Sequence, residues 1–392
     1  MDNSSSQYRH DYIKPLTLLP MRGCKEMGDR VNDYLQQWTV EPENEKLFTF
    51  SMRENGSFLI NAECPRFGTG EGKGMIHSSV RGHDLYILCD VTNYSETYRM
   101  YGVSSPMSPD DHFQDLKRII AAAGNKPYRV TVIMPFLYEG RQHRRSSRES
   151  LDCAMALQEL FSMGVENIIT FDAHDPRVQN AAPLSNFDNV QPTYQMLKCL
   201  LRNEPDLKID KEHMMVISPD EGAAARNIYY SSMLGLDLGL FYKRRDYSCV
   251  VNGRNPIVAH EYLGSSVEGK DVIIADDILS TGDSMLDLCR ELKRRKVGRV
   301  FLATTFALFT EGLACFDEAY EQGLFDRLLS TNLSYLNPEL KTRPWFSEAN
   351  MSKYIAMLIA TLNHDYSISK LLNPSERIKA LLKRHRAAQG IE

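Results

Sequence analysis

Two adjacent carboxylates, Asp276 and Asp277, stand between an apolar run and a short hydroxyl-rich loop. The apolar run, residues 272–275, predicts a strand that is buried on both faces, as in a parallel sheet, and that ends at the carboxylates. The loop, residues 280–284, precedes a helical pattern that opens at Met285. Backbone N–H groups and hydroxyls at a helix N-terminus can bind a phosphate, and the carboxylates can accept hydrogen bonds from vicinal sugar hydroxyls. A ligand-free strand and N-capped helix would show the same spacing.

Basic side chains follow two other predicted strands. Arginines cluster in residues 138–149, directly after the strand pattern of 128–135. Ligands of open α/β sheets bind at this end of a strand, although a charge run can also be a solvated face. Lys243 and Arg245 follow the strand pattern of 238–242, and residues two apart on an extended strand project to the same side. A basic cluster that caps a sheet edge is the alternative explanation.

A glycine-rich stretch, residues 66–74, imitates two nucleotide-binding motifs. A Walker A loop needs Ser or Thr after Gly-Lys, but Gly74 follows Lys73. A dinucleotide-binding fingerprint opens a helix, whereas residues 75–80 read as a strand. Both motifs are therefore excluded, and a glycine-rich hairpin without a ligand stays open.

Composition limits the class of protein. The chain has 392 residues, 43% hydrophobic and 25% charged, with a formal net charge of −5. These values are typical of a two-domain globular protein and give no basic face for nucleic acid. No run of 18 apolar residues occurs, and the polar first residues lack the basic-then-apolar pattern of a signal peptide. The eight cysteines form no C-x-x-C pair. We therefore expect a cytoplasmic protein with reduced thiols, without membrane or nucleic-acid partners.

The loop carries a family resemblance as well. Residues 275–284 resemble the ribose-phosphate loop of the type I phosphoribosyltransferase fold, and residues 16–370 resemble the ribose-phosphate pyrophosphokinase family. Strand–helix alternation agrees with such an α/β architecture. The resemblance implies two tandem phosphoribosyltransferase-like domains, each a largely parallel sheet flanked by helices. We expect the first at 1–191, the second at 192–345, and C-terminal helices that return to the first domain at 346–392.

The family resemblance implies an enzyme that transfers diphosphate from Mg·ATP to the 1-hydroxyl of ribose 5-phosphate, with Mg²⁺ as cofactor. It assigns Lys243 and Arg245 to catalysis, on a mobile loop at 246–260. It assigns ATP binding to Phe67, Glu71, Arg141, Gln142 and His174, and metal binding to His174 and Asp220. The ribose-phosphate residues would be Asp220, Asp276, Asp277, Ser280, Thr281, Gly282, Asp283 and Ser284.

The same resemblance implies that the chain forms an oligomer. Phe67 would stack on adenine and Glu71 would accept from its amine, in the ATP site of a neighbouring subunit. The partners would therefore be ATP, ribose 5-phosphate and further copies of the chain, in a dimer-based oligomer that could extend to a hexamer. Asp220 could equally be a helix N-cap, and a lone histidine such as His174 is often structural.

Four residues depart from the family pattern: Thr69, His143, Ser280 and Asp283. Two alternatives stay open, the first because it would explain these departures and the second because it shares the phosphate loop. One is a catalytically silent regulatory homologue, which would bind without turnover. The other is a phosphoribosyltransferase that consumes phosphoribosyl diphosphate, which would need no ATP segment. The presence of Lys243 and Arg245 argues against a catalytically silent homologue, which would not need these residues.

Overall fold

A computed structural model describes residues 13–41, 48–51, 56–245 and 257–390. The chain forms two compact units, each an α/β structure. The first unit is built from Met1–Gln191, Asn332–Tyr335 and Asn350–Asn373. The second is built from Pro192–Thr331, Leu336–Ala349 and Pro374–Glu392. The expected third segment, 346–392, is thus divided, and only its residues 350–373 belong to the first unit.

The first unit contains a sheet of five parallel strands. In spatial order these are β1 (Leu16–Pro20), β4 (Asp84–Leu88), β7 (Arg129–Ile133), β8 (Asn167–Phe171) and β9 (Asn186–Val190). Its helices are α1 (Lys25–Thr39), α2 (Pro109–Ala123), α3 (Asp152–Ser162), α8 (Ser352–Asn363) and α9 (Ser369–Leu372). The order of elements gives the alternation that the sequence predicted.

Two small antiparallel pairs accompany this sheet. Strands β2 (Ala62–Glu63) and β3 (Met75–Ile76) flank the glycine-rich stretch, so the strand predicted at 75–80 is only two residues long. Strands β5 (Thr97–Met100) and β6 (Val103–Pro106) form a hairpin in the long connection after β4. Helix α2 begins directly after this hairpin, because Ser108 caps it and forms a capping box with Asp111.

The second unit contains a seven-stranded sheet. In spatial order the strands are β12 (Ile257–Leu263), β11 (Asp237–Arg245), β10 (Met214–Ser218), β13 (Asp271–Leu279), β14 (Val300–Ala307), β15 (Arg327–Thr331) and β16 (Phe346–Ala349). All neighbours are parallel except β11 and β12. The helices are α4 (Thr193–Asn203), α5 (Ala224–Leu234), α6 (Asp283–Arg294), α7 (Ala314–Glu321) and α10 (Ser375–Ala388).

The central strand β13 is buried on both faces, as its apolar sequence predicts. Val272 and Ile274 pack into one hydrophobic cluster, and Ile273 and Ala275 pack into another. The strand does not end at the acidic pair, however. Its pairing with β14 continues through Asp276 to Leu279, because β14 is long enough to supply partners beyond the carboxylates. The prediction that the strand ends at Ala275 is therefore wrong.

Candidate functional site

The order of strands in the second sheet reverses between β10 and β13. Strands β11 and β12 lie on one side of this point, and β14 to β16 lie on the other. Ligands of open α/β sheets bind outside the carboxyl ends of the strands at such a reversal. Asp220 follows β10, and Asp276 and Asp277 lie in the carboxyl half of β13. The fold therefore collects these three predicted residues at one crevice of the second unit.

Asn227, a residue that the sequence analysis did not select, fixes the edge of this crevice. The ladder between β10 and β13 stops at the pair Ile217 and Ile274, which leaves the next residue of β13 without a strand neighbour on that side. The fully buried Asn227 accepts from the N–H of Ala275 at 3.1 Å and donates to its C=O at 2.8 Å. The side-chain amide of Asn227 thus forms the two hydrogen bonds that a neighbouring strand would otherwise form with Ala275, the residue directly before the acidic pair. No local sequence pattern marks this role.

Arg226 brings a positive charge next to the acidic pair. Its Nη1 lies 3.5 Å from Oδ1 of Asp276 and 3.8 Å from Oδ1 of Asp277. Burial, followed by the negative charge of Asp277, raises the pKa of Asp276 well above its usual range, and Arg226 opposes that shift. Asp220 adds to it. These surroundings disfavour the charged form of Asp276, and a bound cation or hydroxyl donors would stabilise it.

The loop from Ser280 to Gly282 joins β13 to helix α6, as the sequence analysis expected. The helix begins at Asp283, two residues before the predicted start. Gly282 is required at the N-cap, because its φ is 91° and a Cβ atom there would lie 2.3 Å from the ring of Phe316. A residue after β14 also stabilises the backbone of the loop, since Thr310 donates its N–H to the C=O of Ser280 at 3.0 Å. Ser284 is exposed in the first turn of the helix.

Asp283, one of the four departures from the family pattern, lies within this loop region. It is exposed, and its Oδ2 accepts a hydrogen bond of 3.0 Å from the hydroxyl of Thr281. A carboxylate in the first turn of a helix is stabilised by the helix dipole. The predicted phosphate cradle therefore contains a negative charge of its own, bonded to one of the cradle's hydroxyls.

Lys243 and Arg245 lie at the carboxyl end of β11, which extends three residues beyond its predicted carboxyl end. In the antiparallel pair with β12, Lys243 stands opposite His260 and Arg245 stands opposite Ile257. The register shifts between Arg244 and Arg245. Four residues of the predicted mobile loop, 257–260, thus belong to β12, and the rest of it, 246–256, lies outside the described residues.

The loop with Phe67 and Glu71, in the first unit, is closed by its own backbone. Phe67 donates its N–H to the C=O of Glu71 at 2.7 Å, and Gly70 donates to the C=O of Phe67 at 2.9 Å. Thr69, which departs from the family pattern, donates its hydroxyl to Oε2 of Glu71 at 2.8 Å. Yet the Phe67 side chain is 58% exposed. The loop backbone is therefore fixed by internal hydrogen bonds, while the apolar ring of Phe67 is exposed to solvent.

The remaining predicted ATP residues follow β7 and β8, which are neighbours in the first sheet. His143, after Arg141 and Gln142, brings the two strand ends together. Its Nε2 lies 3.3 Å from Oδ2 of Asp175, and its ring centroid lies 5.5 Å from that of His174. His143, one of the four departures from the family pattern, therefore forms a contact between the Arg141 segment and the His174 segment.

Local hydrogen bonds orient both segments. Gln142 donates its Nε2 to the C=O of Ser150 at 2.9 Å, while Arg141 is exposed. Hydrogen bonds from Arg177 lower the pKa of Asp175 to about 2. Asn189, which the sequence analysis also did not select, accepts from the N–H of Ala173 at 2.9 Å. His174 itself is exposed at the end of this held segment.

No set of three or more His, Cys, Asp or Glu side chains in the described part of the chain is arranged to hold a metal ion. Mg²⁺ usually takes only one or two protein carboxylates and keeps waters and substrate phosphates as its other ligands. The acidic crevice with Asp220 suits that mode of binding. Among the described residues, no helix is both long and apolar enough to cross a membrane.

Comparisons with known proteins agree with this architecture. Residues 16–164 match the family model for the N-terminal domain of ribose phosphate pyrophosphokinase, and residues 186–312 match the phosphoribosyl transferase domain. A ribose-phosphate pyrophosphokinase of Vibrio cholerae is 27% identical over 327 residues, which cover 80% of this chain and 92% of that protein. One of Pasteurella multocida is 28% identical over 322 residues, covering 80% and 91%.

A solved structure shows the same fold. The crystal structure of phosphoribosylpyrophosphate synthetase from Mycobacterium smegmatis has a TM-score of 0.70 and 19% identity, and the match covers 90% of this chain and all of that one. The predicted fold class, two phosphoribosyltransferase-like α/β domains in tandem, is confirmed. The two adjacent domain matches, the relatives aligned over four fifths of the chain and the common fold lead to one conclusion: the chain is an enzyme of the ribose-phosphate pyrophosphokinase family.

Proposed function

We propose that this enzyme transfers diphosphate from Mg·ATP to the 1-hydroxyl of ribose 5-phosphate, giving phosphoribosyl diphosphate and AMP. The observation that carries the proposal is the acidic pair, Asp276 and Asp277, beside the loop and helix N-terminus of α6 at the reversal of the second sheet. Carboxylates can accept hydrogen bonds from sugar hydroxyls, and the N–H groups at a helix N-terminus can bind the 5-phosphate. The curated relatives bear the name of this activity.

Ribose 5-phosphate would be bound in the second unit. Asp276 and Asp277 would accept from its hydroxyls, with Arg226 and Asn227 holding the pair in place. Its phosphate would contact the loop and the first helical turn, through Ser280, Thr281, Gly282, Asp283 and Ser284. Asp283 would there lie close to the substrate dianion, which opposes binding.

ATP would be bound by residues of the first unit. Arg141 can form a forked pair of hydrogen bonds with phosphate oxygens, and Gln142 and His174 would contact the nucleotide beside it. Phe67 and Glu71 would bind the adenine of a neighbouring subunit, which makes the active protein an oligomer with shared ATP sites. His174 would help to hold the Mg²⁺ that is bound to ATP, and Asp220, in the second unit, would contact metal and ribose. The bound metal would neutralise charge on the transferred group.

Lys243 and Arg245 would act in the transfer step itself. Negative charge grows on the leaving nucleotide while the diphosphoryl group moves, and two cations at a strand end can stabilise that charge. Removal of one such group typically lowers the rate by about 10²- to 10³-fold. The substrate hydroxyl must also lose its proton, and the pair of carboxylates lies in the crevice where the sugar would be bound.

A product assay tests the proposal. Purified protein is incubated with ATP, ribose 5-phosphate and Mg²⁺, and the products are followed by phosphorus NMR. We expect AMP and a diphosphoryl sugar in equal amounts, and a loss of at least about 100-fold in Lys243→Ala. Lys341→Ala, a lysine distant in sequence and 3.5 Å from Glu348, is the matched control and should keep the activity. Binding of both substrates without AMP would favour the regulatory homologue instead.

A further inference from the structure

The hairpin of β5 and β6 turns at Tyr101 and Gly102, and both residues have positive φ angles, 48° and 80°. Two-residue turns of this kind favour Asn-Gly or Asp-Gly, because the first residue must adopt the left-handed conformation. A tyrosine there is strained, since its Cβ approaches the backbone. The ring is also 78% exposed, so packing within the described chain does not compensate for the strain. Strain that persists without internal packing suggests a functional contact.

The same turn is fastened to the loop of Phe67 and Glu71. Tyr101 donates its backbone N–H to the C=O of Gly68 at 2.9 Å. A Cβ atom on Gly70 would lie 2.7 Å from Sδ of Met100, so the two turns are in close contact. The guanidinium of Arg66 lies 5.1 Å from the ring centroid of Tyr98 and is held by Asp115 at 2.5 Å. The hairpin and the loop therefore form one structural element.

We propose that Tyr101 is a second aromatic contact for the adenine nucleotide, beside Phe67, and that the hairpin extends the adenine-binding element. The inference rests on the proposed function of the Phe67 loop. Two exposed aromatic side chains are carried by turns that share a hydrogen bond, and a purine offers the flat apolar surface that such rings bind. The strained turn then places the Tyr101 ring, while its N–H orients Gly68.

The substitution Tyr101→Asn separates this role from a structural one. Asparagine adopts the left-handed conformation readily and keeps the N–H that binds Gly68, so only the ring is lost. We expect a melting temperature higher by about 1–3 °C, because the strain is relieved. We expect the dissociation constant of Mg·ATP to rise at least about fivefold, because the aromatic contact is gone. A residue with a purely structural role would not give this combination.

Affinity is measured by calorimetric titration of the assembled protein with Mg·ATP, in the absence of ribose 5-phosphate. Tyr101→Phe should bind like the wild type, and so should Val103→Thr, which alters another exposed side chain of the hairpin (63%). An unchanged dissociation constant in Tyr101→Asn would overturn the inference, as would a wild type that does not bind Mg·ATP. A protein that binds Mg·ATP but forms no AMP would refute the proposed reaction alone and leave this test valid.

Discussion

The side chain of Asn227 takes the place of a strand neighbour for Ala275. Where β10 leaves β13, the sheet must open to admit a ligand, and the opening exposes backbone groups that need partners. A buried amide satisfies both groups of Ala275 and also donates to the C=O of Ala223 at 2.9 Å. The crevice is therefore held open at the residue that precedes the two carboxylates.

Replacement of Asn227 by leucine should lower the free energy of unfolding by about 2–4 kcal/mol, because two buried backbone groups lose their partners. The KM for ribose 5-phosphate should rise more than the KM for ATP, since the acidic pair lies on the disturbed strand. Urea unfolding and steady-state kinetics measure both effects. Asn203→Ala, which removes a bond of 2.8 Å to the C=O of Cys199, should cost less than about 1 kcal/mol. Equal losses in the two variants would contradict the role of Asn227.

Asp283 gives a second prediction at the residue scale. Its carboxylate accepts from Thr281 inside the proposed phosphate cradle. Replacement by asparagine should lower the KM for ribose 5-phosphate by about three- to tenfold, because a repulsion of about 1 kcal/mol between like charges is removed. The difference should shrink at high salt, where exposed charges are screened.

Asp287→Asn is the control for Asp283, since it removes a carboxylate one turn later on the same helix, paired with Arg290 at 2.7 Å. Steady-state kinetics at low and high ionic strength supply the comparison. A KM that stays constant or rises in Asp283→Asn would show that this carboxylate points away from the bound phosphate.

At the scale of elements, the loop before α6 depends on one glycine. Gly282 combines a left-handed φ with a close approach to the buried ring of Phe316, so the loop can enter the helix only without a side chain there. The packing of α6 and α7 and the geometry of the proposed cradle are thus set at one position.

Gly282→Ala should lower the free energy of unfolding by about 2–4 kcal/mol, of which about 1–2 kcal/mol is the cost of the left-handed alanine. Gly269→Ala isolates that cost, because Gly269 has a φ of 76° but open space around its Cβ position. Urea unfolding of the two variants therefore separates the steric clash from the backbone strain. Identical losses would mean that Phe316 moves aside without cost.

At the scale of the whole molecule, the proposed sharing of ATP sites makes a direct prediction. Phe67→Ala removes a contact to a neighbour's nucleotide, whereas Lys243→Ala removes catalysis within its own subunit. Each variant alone should be nearly inactive. A mixed oligomer should recover about one quarter of the wild-type activity, because half of its sites keep Lys243 and half of those face an intact Phe67.

Co-expression of the two variants, followed by the AMP assay, provides this measurement. Mixing without exchange of subunits is the control and should leave the activity near zero. Absence of recovery in verified mixed oligomers would place Phe67 and Lys243 in sites of the same subunit.

The sequence by itself determined the elements and their chemistry. The apolar run before Asp276, the hydroxyl-rich loop and the alternation of strands and helices are local patterns, and local patterns fix period and burial. They sufficed for the α/β class and for the family resemblance. The N-cap of α2 is also a local feature, because Ser108 and its capping partner Asp111 lie within four residues of each other.

Only the tertiary structure decided which groups meet. Asn227 forms hydrogen bonds with Ala275, and His143 contacts Asp175, because strands that are distant in sequence end at the same edge of a sheet. The continuation of β13 past its carboxylates depended on the length of β14, and the contact of Tyr101 with Gly68 depended on where a hairpin folds back. A periodic pattern records how a segment is buried, whereas the partner of a polar group depends on the path of the whole chain.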